Sequence, residues 1–207
     1  MVKSIALLQL LHHLKSPRWL ILLSIYCFVI AVFSNQFSFQ FIKLQAANTS
    51  NLSLSSTLFT PLDNLAVFLL LVVMPIIILQ FRASRIASGL QRLLNSYPIS
   101  TFKLWLTDWL VMLVLLLCFL SVLFVLHLPI ILSATLDLPL YLTHWLALFL
   151  MSLSFMTLFL FLQQVTSSLP GSLIAHYSVL FLFWGLQLLQ QWPDYFYLLQ
   201  AFNLFAW

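Results

Sequence analysis

Residues 104–126 read LWLTDWLVMLVLLLCFLSVLFVL, an apolar run whose single charged side chain, Asp108, lies near its start. About 20 mostly apolar residues cross the hydrocarbon core of a bilayer as a helix, so this stretch predicts a membrane span. Four further stretches meet the same test: 19–37, 62–81, 142–162 and 173–189. The composition of all 207 residues agrees, with 63% hydrophobic and 6% charged residues and a mean hydropathy of +1.10. Soluble domains carry roughly 25% charged residues, and a chain this apolar cannot clothe its surface for water. It is not disordered, collagen-like or a disulfide scaffold either. Cys27 and Cys118 both sit inside apolar runs and read as small packing residues.

The expected fold class is therefore all-α: one polytopic transmembrane bundle over 1–207 with about five spans. The first span is long, uninterrupted and lacks a small-residue cleavage site, so it reads as retained and not as a signal peptide. Gly89, Gly171 and Gly185 are the only glycines, which leaves Leu, Phe and Ser/Thr contacts to pack the helices instead of Gly-mediated crossings. Two segments are amphipathic without spanning. Residues 3–16, KSIALLQLLHHLKS, predict an interfacial helix ended by Pro17. Residues 192–207, rich in Trp and Tyr, predict an outer interfacial or re-entrant segment.

Charge sets the expected orientation. Lys3, Lys15 and Arg18 precede the first span, and Arg82, Arg85, Arg92 and Lys103 fill the connection between spans two and three. By the positive-inside rule the N-terminus and 82–103 are cytoplasmic, while 38–61 and 127–141 face the other side. The 38–61 connection is polar and carries sequons at Asn48 and Asn51, a pattern frequent by chance.

The cytoplasmic connection is the most distinctive stretch. On a helix over 82–98, RASRIASGLQRLLNSYP, Ile86, Leu90, Leu93, Leu94 and Tyr97 form an apolar stripe. Arg82, Arg85, Gly89, Arg92 and Ser96 form a polar one. Pro98 ends the helix, and Ser100 or Thr101 can cap the next. Read alone, this is also what a charged turn obeying the positive-inside rule looks like.

In order of elements, and in residues 74–103 by motif, the chain resembles the membrane subunit of type-2 ABC exporters, especially the gliding-motility-like permeases. That family's coupling helix reads approximately E-E-x-x-x-G-T-x-E-x-L-L-x-x-P-x-S. Gly89 matches its Gly, Leu93 and Leu94 its Leu pair, and Pro98, Ile99 and Ser100 its Pro-x-Ser. The resemblance implies a permease subunit without enzymatic activity of its own, in a bacterial inner membrane. ATP and magnesium would be held by cytoplasmic ATPase subunits, and a second copy or sibling permease would complete the assembly. It makes Arg82, Arg85, Gly89, Leu90, Arg92, Leu93, Leu94 and Pro98 the expected ATPase contacts.

The departures are specific. Ser84 and Arg85 stand at the acidic positions before the Gly, Leu90 at the Thr and Arg92 at the following Glu. The charge is inverted, and the sixth span usual in the family is not reached. A non-transporting membrane scaffold and a haem-exporter-type subunit are the alternative readings.

Among ionisable groups in the spans, Asp108 is the candidate intramembrane polar site, with pairing to Lys103 or Arg82 at headgroup level as the plain reading. Asp63 follows Pro61 and suits a helix N-terminus. His127 and His144 flank one outer connection, and His176 opens the fifth span. No H-x₃-H, C-x₂-C or H-E-x₂-H spacing is present, so no metal is expected. The chain has no Glu and no phosphate-binding Gly-rich loop, and its one Gly-Ser pair, Gly171–Ser172, lies at a short turn. These features argue against an enzyme, and nothing points to nucleic acid.

Overall fold

Proline marks where the helices begin. In a computed structural model of the chain, residues 10–11, 17–46, 59–89, 100–133, 138–166 and 168–189 are described. They form five long helices and no strands: α1 Pro17–Ala46, α2 Thr60–Ala87, α3 Thr101–Ser133, α4 Leu138–Val165 and α5 Leu169–Leu189. Four of the five carry Pro in their first two positions, namely Pro17, Pro61, Pro139 and Pro170. There the missing N–H has no intrahelical partner to lose and the fixed φ already suits a helix. The exception, α3, starts from Ser100, whose Oγ accepts from the Lys103 backbone N–H at 3.4 Å.

Four helices, α1 to α4, are long and apolar enough to cross a membrane; α5 is apolar but its qualifying stretch, Leu169–Gly185, is shorter. The chain is thus a helical integral membrane protein. Helix ends run beyond the expected span limits, because a helix persists into the interface as long as its backbone groups are paired.

α2 is the central helix and packs against all four others. In its most apolar window 56% of residues are buried, against 17% for α1, which lines the periphery. Its buried face runs through Leu62, Ala66, Leu70, Met74, Ile77, Ile78 and Phe81, at the three- and four-residue steps of one helix stripe. Aromatic edges fasten α1 to α3: Phe119 meets Trp19 at 5.0 Å and Tyr26 at 4.8 Å, both nearly perpendicular. Side-chain hydrogen bonds add cross-ties, from Trp109 Nε1 to Thr157 Oγ1 at 3.0 Å and from Tyr177 OH to the Val72 carbonyl at 3.0 Å.

The connection after α2 departs from the expected helix over 82–98. Arg82 to Ala87 are the last turns of α2 itself. The helix then ends at Ser88, whose N–H bonds back to Ser84 O, and Gly89 adopts φ +71°. That left-handed turn suits a residue without Cβ and breaks the regular helix. The two predicted stripes are also reversed at the described end: Arg85 is buried and Ile86 is exposed. Residues 90–99, which include Leu90, Arg92, Leu93, Leu94 and Pro98, lie outside the described residues, as do 192–207 and most of 3–16.

Candidate functional site

Two polar clusters lie at opposite ends of α2. Asp63 and Arg85 are separated by about 33 Å of helix at ~1.5 Å per residue, close to the ~30 Å thickness of a bilayer's hydrocarbon core. Each cluster draws on α2, α3 and α4.

At the C-terminal end of α2, Arg85 turns inward. Its Nη1 donates to both carboxylate oxygens of Asp108 on α3 at 2.6 Å, and its guanidinium carbon lies 5.4 Å from the Phe81 ring centre. Both partners are buried. The expected partners of Asp108 were Lys103 or Arg82; Lys103 is exposed. Arg82, three residues before Arg85 on the same helix, donates to the carbonyls of Gln163 at 3.0 Å and Thr166 at 2.9 Å. These carbonyls belong to the last turn of α4 and its exit, where intrahelical donors run out, so a cation there both caps the helix and complements its dipole. Gln163 answers with its own side-chain amide to the Ile78 carbonyl at 3.3 Å.

Nearby, α5 is capped by Ser168, whose Oγ accepts from the Gly171 N–H at 3.1 Å. His176 is fully buried, with Nε2 2.8 Å from the Phe159 carbonyl, which requires the tautomer that carries its proton on Nε2. This end of the bundle is tied by charge-assisted bonds.

At the N-terminal end of α2, Asp63 is in the first turn, as its place after Pro61 suggested, but it is buried to 1% exposure. Its Oδ1 is 3.5 Å from His127 Nε2 on α3 and its Oδ2 is 2.8 Å from His144 Nε2 on α4. These are ion-pair distances without well-aligned hydrogen bonds, since neither oxygen and neither nitrogen has a hydrogen-bond partner of good geometry. His127 Nδ1 lies 3.3 Å from the Tyr141 hydroxyl. Phe59 and Trp145 close round the His127 ring at centroid distances of 4.7 and 5.9 Å. His127 is fully enclosed, whereas the His144 side chain is 35% exposed.

Sequence reasoning named all three residues but did not join them. The available signal was their common position: each flanks a connection expected on the same side of the membrane, 38–61 or 127–141. Among the described residues no group of three or more His, Cys, Asp or Glu is arranged to hold a metal ion. The two rings address different carboxylate oxygens, a geometry suited to sharing protons.

Of the expected ATPase contacts, the structure buries Arg85, ties half-buried Arg82 to the end of α4 and places Gly89 at the helix stop; the other five lie outside the described residues. Neither a family model, nor a curated protein, nor a solved structure matches this chain.

Proposed function

We propose that this chain is the membrane-spanning subunit of an ABC-type exporter assembly. It spans a bacterial inner membrane with its N-terminus in the cytoplasm. Separate ATPase subunits bind ATP and magnesium, and a second permease copy or a sibling permease completes the translocation unit. Movement of a substrate or of force across the membrane is the output.

One observation carries this reading beyond the resemblance of residues 74–103. The root of the 90–98 segment is fixed to three helices at once: Arg85 joins α2 to α3 through Asp108, and Arg82 joins α2 to the end of α4. A force applied by an ATPase to that segment would move α2, α3 and α4 together, because a rigid lever needs such ties to transmit displacement. Arg82 and Arg85 thereby become anchors of the coupling segment. Contact with the ATPase falls to Arg92, with Leu90, Leu93 and Leu94 as the packing face and Pro98 as its end.

The same observation favours a second reading. With two of the three stripe arginines bonded to α3 and α4, fewer cations remain for docking, which suits a non-transporting scaffold in an envelope complex. Purification of the tagged chain in mild detergent, with mass spectrometry of its companions, separates the two. The exporter reading expects a stoichiometric ATPase whose recovery falls in Arg92→Glu. Envelope proteins without an ATPase would reject it in favour of the scaffold.

A further inference from the structure

The Asp63 cluster has no part in the coupling segment, and what it does is independent of whether an ATPase binds at the other end. A carboxylate sealed from water without compensating charge is strongly disfavoured. Among the described residues, the ion-pair partners of Asp63 are the two imidazoles and no Lys or Arg. With the carboxylate ionised and both rings neutral the cluster is an anion. One added proton makes it neutral, and a second makes it a cation. With the carboxylate and the His127 ring both buried, the neutral form is the one that leaves no uncompensated charge inside the bundle.

The surroundings support sharing. His127 and His144 lie within each other's electrostatic reach as well as that of Asp63. The groups facing the carboxylate from the helices packed on α2 are His127 from α3, Tyr141 and His144 from α4, and the buried Tyr26 hydroxyl from α1. α5 contributes none at this end among its described residues; its His176 bonds to Phe159 instead. The Tyr141 hydroxyl can donate to His127 Nδ1, leaving the proton on Nε2 facing Asp63, or accept from Nδ1 in the other tautomer. Of the two rings, His127 is enclosed and His144 is open to the surroundings.

We propose that Asp63, His127 and His144 form a single proton-binding site, loaded from the adjoining aqueous face through His144, whose occupancy holds the ends of α2, α3 and α4 together. In the loaded state an imidazole N–H donates to each carboxylate oxygen. Loss of the shared proton leaves a sealed anion that draws in water and loosens the three ends.

The test is ring ¹⁵N spectroscopy of the histidine-labelled full chain in lipid nanodiscs across the pH range in which imidazole titrates. Coupled groups titrate as a unit, so the His127 and His144 signals should move in one shared step, with His176 unmoved. Asp63→Asn should abolish that shared step. His144→Gln keeps an amide donor beside the carboxylate and serves where Asp63→Asn does not fold; the proton then has one ring to occupy, so the His127 signal should move further and at a different pH. Two independent steps in the unsubstituted protein, or a His127 response unchanged in His144→Gln, would overturn the proposal. So would a shared step that disappears on adding EDTA, which would assign the site to a metal ion.

Discussion

Replacing Asp108 by Ala tests whether the inward pair at the C-terminal end of α2 holds the bundle. The carboxylate supplies both acceptors reached by Arg85 Nη1 at 2.6 Å, and Arg85 Nε already has no hydrogen-bond partner. The substitution therefore leaves a buried guanidinium beside the Phe81 ring without its carboxylate. Removing one member of a buried pair costs about 3–5 kcal/mol, or roughly two to three and a half powers of ten in the folding equilibrium. Arg85→Ala should cost a similar amount, by stranding the carboxylate. The combined change to apolar residues of similar volume, Arg85→Met with Asp108→Leu, removes both desolvation penalties and should be neutral or stabilising by about 1–4 kcal/mol. Reversible denaturation in mixed micelles, run as a double-mutant cycle of Arg85→Met, Asp108→Leu and the two together, reads the coupling directly. If the change in the double variant equalled the sum of the two single changes, the pair would contribute nothing through its own contact, and α2–α3 rigidity would have to come from apolar packing.

Two other substitutions probe the ties to α4 and α5. Arg82→Gln exchanges a cation reaching the Gln163 and Thr166 carbonyls for a neutral, shorter amide; a charged hydrogen bond is worth about 1.5–3 kcal/mol. Amide hydrogen exchange should speed up in the final turn of α4 and leave α1 unchanged, and equal exchange in both proteins would deny Arg82 its capping role. Gly171→Ala would set a Cβ 2.7 Å from Ser168 Oγ, displacing the hydroxyl that accepts from the Gly171 N–H. Loss of such a cap costs about 1 kcal/mol, and thermal unfolding of the variant should show it; if Ser168→Ala on its own left stability unchanged, the cap would carry no weight.

Apolar run length sufficed to predict helices and membrane insertion, because the requirement is local: every backbone group must be paired in lipid, and the preference of Pro61 for a helix start is equally local. The same logic placed Asp63 in a first helical turn. The sequence also located the charged groups at span ends, since charge is expelled from the middle of a bilayer. It did not determine which of them meet. Asp108 lies five residues from Lys103 in sequence, yet its partner is Arg85 on another helix, and His127 and His144 reach Asp63 from two further helices. Partner choice depends on how each helix is rotated about its axis. In spans that are apolar nearly all round, sequence periodicity gives little sense of rotation. The reversal at Arg85 and Ile86 has the same origin: a stripe can be read from spacing, but only the packed neighbour decides whether it faces in or out. Packing of α2 among four helices fixed those rotations, and with them the ion pair at one end and the shared carboxylate at the other.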